Sequence, residues 1–337
     1  MLRDLAVGAV YAVAIIVAVI GLLAGAAYWY CFSLPGRSHQ GALPPATAEE
    51  LDLAERLKRH VESIASRPHN VRHFAELEAA AAYIEATLAG MGYRVVSQPY
   101  EAHDRSVRNL EATVEPAGGD TGEAPSLVIG AHYDSAGSAP GANDNGTGTA
   151  AVIELARLLK DARLTHRLRL VLFVNEEPPY FRTPDMGSLR YAEALLARGE
   201  PVAGMLSLET LGSFSDEPGS QSYPRPLSAL FPDTGNFIAF VGMPASRPLV
   251  HKAVGSFRSH TAFPTEGGVA PASIPGIDWS DHWSFAQHGI PAVMVTDTAP
   301  FRYPHYHEPT DTPDKVDYER LARVTKGLER VIRELGQ

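Results

Sequence analysis

The stretch LVIGAHYDSAGSAPGANDNGTGTAAVIELARLLK, from Leu127 to Lys160, decides the fold. It opens on a short apolar run, Leu127-Val-Ile, that reads as a buried strand. It then breaks into small residues and turn formers, and closes as a helix of apolar periodicity. His132 and Asp134 fall at the end of the strand; Asp144, flanked by asparagines and glycines, falls in the turn before the helix. An imidazole and a carboxylate at the carboxyl edge of a parallel strand stand where open α/β sheets place their chemistry. Taken alone, a strand-end histidine reads as a surface or capped residue, and three later stretches reverse that reading.

Leu168 to Val174 reads as a second buried strand, running into Asn175-Glu176-Glu177, after which Pro178 and Pro179 bar any continuation of strand or helix. A helix is expected from Gly187 to Ala197, then an apolar run from Val202 to Leu208 that ends at Glu209. Phe237 to Val241 and Ala292 to Val295 are short strand-like runs, and Asp317 to Leu335 is an amphipathic terminal helix. Upstream, Thr47-Ala-Glu-Glu50 has the form of a capping box opening a helix toward Ser66. A second helix runs from about Phe74 to Leu88 and stops near Gly90; strands follow at Tyr93–Tyr100 and Arg108–Val114, with a turn at Pro116–Pro125. Two Gly/Pro/Ser-rich segments, Ser213–Asn236 and Ser259–Ser280, read as loops long enough to carry function or disorder. The alternation predicts a three-layer αβα domain around a mostly parallel, mixed central sheet.

Leu5 to Ala27 is an uninterrupted apolar run, and no charge appears until Arg37. As a helix it would span roughly 34 Å, sufficient for a bilayer core. Tyr28, Trp29 and Tyr30 follow as an interfacial aromatic belt would. A cleaved signal peptide is the alternative, with Ala24-Gly-Ala26 as cleavage site, but its apolar core would exceed the usual ~7–15 residues. The expected organisation is therefore a single-pass membrane anchor at 1–32, a Pro/Gly-containing tether at 33–46 and one large domain at 47–337, the domain lying outside the cytoplasmic membrane. Arg3 favours a cytoplasmic amino end and Asp4 weakens the bias.

The formal charge of −10 and the lack of any Lys/Arg cluster argue against a nucleic-acid partner. Cys31 is the one cysteine, so no intramolecular disulfide forms and any metal site in the soluble part must use nitrogen and oxygen ligands. Adjacent glutamates in a regular strand point to opposite faces; at a strand terminus followed by Pro-Pro both can approach one centre. Four carboxylates (Asp144, Glu176, Glu177, Glu209) converging with two imidazoles would repel strongly without counter-charge. Two divalent cations supply that charge, which is the arithmetic of a two-metal hydrolase. Zinc suits the donors, with manganese or cobalt acceptable.

Six motifs in order carry a resemblance: GAHYDS at 130–135, GANDNGTG at 141–148, FVNEEP at 173–178, LSLETLG at 206–212, SDHWSF at 280–285 and PHYHEPTDTPDKV at 304–316. The chain resembles, from about Ser66 onward, the co-catalytic dizinc exopeptidases, which include secreted bacterial aminopeptidases, glutamate carboxypeptidase, glutaminyl cyclase and the transferrin receptor. The resemblance implies two zinc ions, with His132 on one, His307 on the other, Asp144 bridging, Glu209 completing the first site and Glu177 the second. Glu209 stands where several family members have aspartate. Glu176 would be the general base acting on a metal-bridged hydroxide, and Tyr306 a hydrogen-bond donor to the oxyanion. Asp134 would orient His132, and a cis peptide would follow Asp144. Asp281 and His282 fall in a motif the family uses close to the metals, as support or as substrate contacts. His305 reads as a loop residue, and His69, His103 and His251 as structural or surface residues. The implied activity is a membrane-anchored aminopeptidase acting on peptides. The rivals are a glutaminyl-cyclase-like acyltransferase with one zinc and a non-catalytic binding homologue. Substrate preference and oligomeric state are not written in these motifs.

Overall fold

The structure is a computed structural model that describes residues 2–119, 122, 124–225 and 227–337, and of residues 2–10, 12 and 13 the backbone alone. The turn expected at Pro116–Pro125 lies partly outside those residues, as do the side chains of Arg3 and Asp4.

The strands are β1 (Val96–Ala102), β2 (Arg105–Val114), β3 (Ser126–His132), β4 (Arg167–Phe173), β5 (Val202–Glu209), β6 (Ile238–Gly242), β7 (Thr265–Val269) and β8 (Ala292–Thr296). They form one sheet in the order β1-β2-β4-β3-β5-β8-β6-β7. The central strands β4, β3, β5 and β8 are mutually parallel. Antiparallel pairings join β2 to β4 and β6 to β8, and β7 runs parallel to β6 at the edge. The sheet is thus mixed and largely parallel, with a parallel centre.

The helices are α1 (Leu2–Phe32), α2 (Ala48–Ile64), α3 (Phe74–Gly90), α4 (Gly148–Leu159), α5 (Gly187–Ala197), α6 (Arg247–His260), α7 (His282–Gln287) and α8 (Tyr318–Leu335). The capping box opening α2 forms as expected: Glu50 N donates to Thr47 Oγ1 at 3.2 Å and Thr47 N to Glu50 Oε2 at 2.7 Å. Strand alternation sorts the core into two layers. Leu127, Ile129, Leu170, Leu172, Leu206 and Leu208 face the layer of α2, α4 and α8. Val128, Val171, Phe173 and Met205 face the opposite layer, where α5 packs on α7.

Two expectations are corrected. Ser259–Ser280 is not all loop: β7 lies within it, and α6 runs into its start. The strand expected from Tyr93 begins at Val96. Helix α1 contains an apolar span, Ala14–Phe32, long enough to cross a membrane; its described side chains are exposed as far as Tyr30, and Cys31 and Phe32 are half-buried. The 33–46 segment lies against the domain, with Thr265 N donating to Ser38 Oγ at 2.8 Å and Arg258 to the Pro35 carbonyl at 3.1 Å.

Gly130 shows how tightly the central strand packs. A Cβ there would sit 2.3 Å from Phe173 Cε2, and the Phe173 ring packs against both Tyr191 and Phe285. Gly130→Ala should therefore destabilise the fold by about 1–3 kcal/mol through overpacking, read as a lower denaturation midpoint.

Candidate metal centre

Because β4, β3, β5 and β8 run parallel side by side, their carboxyl ends share one edge of the sheet. His132 is the last residue of β3 and Glu209 the last of β5. Glu176 and Glu177 follow the end of β4, and His307 lies in the loop after β8. Asp144 sits in a wide turn, Ala142–Thr147, that leads into α4, with non-helical backbone at Asp144 and Asn145. The Asp144–Asn145 peptide is cis, as the resemblance implied.

Carboxylates on main-chain amides aim these turns. Asp134 Oδ1 accepts from Glu176 N at 3.1 Å and Oδ2 from Glu177 N at 3.2 Å. Asn175, with φ 62°, reverses the chain just before them. Together these features turn two consecutive glutamates toward one point, which strand alternation alone would forbid. Asp311 does the same for the Asp144 turn, accepting from Asn143 N at 2.9 Å and Asp144 N at 3.1 Å while the Tyr303 hydroxyl donates to it at 2.7 Å. Ser280 Oγ donates to Glu209 Oε2 at 2.7 Å and is itself paired with Ser207, so the longer glutamate arm is held. Thr210 (φ 51°) and His307 (φ 60°) also adopt left-handed backbone, a conformation costing roughly 1–3 kcal/mol each that the surrounding contacts must offset.

His132 Nδ1 donates to the Asp134 main-chain carbonyl at 3.0 Å, and the Asp134 carboxylate stands 3.6 Å away. That hydrogen bond leaves the Nε2 lone pair facing the centre, where it has no hydrogen-bond partner. Nε2 lies 3.5 Å from Asp144 Oδ1, 3.5 Å from Glu209 Oε2 and 3.8 Å from Glu176 Oε2. On the other side His307 Nε2 lies 3.1 Å from Asp144 Oδ2 and 3.2 Å from Glu177 Oε2. Asp144 thus offers one oxygen toward each imidazole. The donors fall into the groups His132/Asp144/Glu209, Asp144/Glu177/His307 and His132/Glu176/Glu177.

Burial pushes the carboxyls of Glu177 and Glu209 up to about 7, despite nearby histidines, and raises Glu176 well above the usual range, with Glu209, Glu177 and Asp281 adding to it. Burial acts to lower His132, but Glu209 and Glu176 outweigh it and raise the imidazole. Asp144 goes the other way: burial opposes ionisation, but the two imidazoles facing its oxygens hold it well below the usual carboxylate range. Oxygen and nitrogen donors clustered at one point, several of them buried without a hydrogen-bond partner among the described residues, fit a pair of divalent cations.

Tyr306 stacks on His307, ring centroids 3.9 Å apart. Burial, then the neighbouring carboxylates, raise its hydroxyl, so it remains a donor. Asp281 is fully buried and pushed up to about 7 by that burial. His282, lowered to about 4 by burial, donates from Nε2 to the Ile277 carbonyl at 2.8 Å. Among the described residues no hydrogen bond joins either to a centre residue. His305 Nδ1 pairs with Thr310 at 2.8 Å, away from the centre, and His69 Nδ1 with the Arg67 carbonyl at 2.9 Å. Asp311, Ser280 and the buried Asp297 were not singled out from sequence. Asp297 accepts from Asn143, Gly212 and Ser213.

An αβα domain with two donor sets sharing one carboxylate at the carboxyl edge of its sheet belongs to the class of two-metal hydrolases. The sequence model of peptidase family M28 matches residues 109–332, and the chain belongs to that family. The uncharacterized protein YfbL of Escherichia coli (strain K12) is 39% identical over 270 residues, 77% of this chain and 81% of that protein. Aminopeptidase YwaD of Bacillus subtilis (strain 168) is 31% identical over 205 residues, 58% of this chain but 38% of YwaD. The solved aminopeptidase from Aneurinibacillus sp. strain AM-1 superposes with a TM-score of 0.65 at 17% identity, covering 84% of this chain and 94% of that one, a likeness of fold. Family and donor geometry together make the chain a zinc-dependent metallopeptidase of the aminopeptidase type.

Asp311→Asn keeps shape but replaces one amide acceptor with a donor. It should weaken zinc binding about 10–100-fold in a chelator competition, with the circular dichroism spectrum unchanged.

Proposed function

We propose that this metallopeptidase is a membrane-anchored aminopeptidase that removes N-terminal residues from peptides, with Glu176 as its general base. The observation that carries the reading is Asp144, one oxygen toward His132 and the other toward His307. We assign His132, Asp144 and Glu209 to one zinc ion, and Asp144, Glu177 and His307 to the second. Zinc bound there supplies Lewis acidity toward a carbonyl and acidifies water.

The remaining steps belong to the chain's own groups. Glu176, its carboxylate 3.8 Å from His132 Nε2, accepts a proton from the attacking water and delivers it to the leaving amine. Tyr306 donates its hydroxyl to the developing oxyanion. Asp134 holds the Glu176 and Glu177 amides, so that base and ligand keep their spacing. The carboxylate cluster attracts the free α-ammonium of the substrate, which endopeptidase substrates lack at the scissile bond. A shared bridging carboxylate favours two cations over the single zinc of a cyclase-like acyltransferase, and the full donor set disfavours a non-catalytic homologue.

The division we propose is anchor 1–32, tether 33–46 and catalytic domain 47–337, with Asp281 and His282 as buried support beneath the centre. The anchor reading is supported by the length and polarity of Ala14–Phe32 and the aromatic residues at its end. With the domain outside the cytoplasmic membrane, protease added to intact spheroplasts should degrade it; a protected domain with the helix intact would overturn that topology.

Glu176→Gln should retain both zinc ions by elemental analysis, while kcat on aminoacyl p-nitroanilides falls about 10²–10⁴-fold. Wild-type turnover in that variant would remove Glu176 from the role. Chelation should abolish release of N-terminal residues and zinc restore it. An N-terminal glutamine peptide should be hydrolysed rather than cyclised.

A further inference from the structure

On the face of the sheet opposite α6, among the described residues the end of α1 reaches β7, and loops flank β6 and the end of β8. Ala239, Gly268 and Met294 there form the floor of a pocket. Aromatic rings from the flanking loops, Phe231, Trp279 and Phe301, wall it, and at one end it reaches Glu209 and Tyr306. The pocket therefore opens onto the metal centre. Its lining is that of a site for an apolar group beside the reacting atoms.

One wall comes from outside the domain. Phe32, the last residue of α1, lines the pocket. Gly268 admits it: a Cβ at that position would stand 2.6 Å from the Cys31 carbonyl oxygen and 2.8 Å from Phe32 Cδ1. The Phe32 ring meets Phe231 edge-on, centroids 5.3 Å apart at 85°. The chain is fastened on both sides of it. Arg247 donates to the Tyr30 carbonyl at 2.7 Å and lies over the Trp29 and Tyr30 rings, and Arg258 donates to the Pro35 carbonyl.

We propose that Phe32 is a specificity-determining residue, through which the end of the N-terminal helix completes the subsite for a large apolar N-terminal side chain of the substrate. The proposal rests on the aminopeptidase reading above. Besides Glu209, the one carboxylate on the pocket wall is Glu266, half-buried, raised by that burial and opposed by Arg258. A cationic side chain would have to pair with it while lying among aromatic rings. The rings outnumber that single charge, and a leucyl or phenylalanyl side chain leaves nothing unpaired.

The test uses the full-length, zinc-loaded chain in detergent micelles with leucyl, phenylalanyl, alanyl and lysyl p-nitroanilides. Wild type should favour leucyl and phenylalanyl substrates. Phe32→Ala should lower the leucyl-to-alanyl ratio of kcat/KM about tenfold, mainly through KM, and Phe32→Trp should recover most of it. Phe231→Ala, which leaves the helix intact, should lower the same ratio and keeps the test decisive if Phe32→Ala does not fold. An unchanged ratio in these variants would overturn the proposal while leaving the aminopeptidase standing. A wild-type preference for lysyl substrate would assign the pocket to Glu266 and overturn it as well. Failure of the wild type to release any of the four residues would remove the aminopeptidase reading and this inference with it.

Discussion

The Asp144 carboxylate, held between two imidazoles, is the constraint around which the rest of the structure is arranged. Four carboxylates brought together under a protein surface repel one another and lose hydration, and burial lifts three of them toward neutrality. Asp144 alone is pulled strongly the other way, because each of its oxygens faces a histidine. A centre with this charge distribution is incomplete without cations. The parallel strands deliver its members to one edge, and two helical layers keep the edge rigid.

Two further carboxylates do quieter work. Asp134 and Asp311 each accept from two consecutive main-chain amides, one pair at Glu176 and Glu177, the other at Asn143 and Asp144. Irregular backbone at the end of a buried strand leaves amides unpaired, and an unpaired buried amide is costly. A carboxylate satisfies two at once and fixes the direction of the side chains they carry. The turn therefore owes its shape to groups that sit behind the donors.

The central strands and five of the flanking helices were legible because uniform apolar runs and helical periodicity leave few alternatives. Strand β7, Thr265-Glu-Gly-Gly-Val, was not: two glycines and a glutamate give no alternation, and pairing with β6 imposes the extended form. Helix α6 begins with Arg247-Pro, and its polar face sits beside a loop-like region, so its periodicity was hidden. At the metal centre, the spacing of histidines and acids after buried strands was legible, since such charges need a partner there. Asp311 lies in Glu-Pro-Thr-Asp-Thr-Pro-Asp, where either aspartate fits a solvated turn. Only its contact with residues some 170 positions earlier distinguishes it, and long-range contact is invisible to local pattern.

The pocket over β6 and β7 also separates two kinds of change open to this chain. The clustered donors come from the ends of β3 and β5, the segment after β4 and two other loops, whereas the pocket floor comes largely from β6, β7 and β8. In the subsite proposed above, substitutions among the small floor residues or the covering loops would reshape what enters without shifting a clustered donor. Chemistry and appetite are thus inherited on different strands, and one can drift while the other is kept.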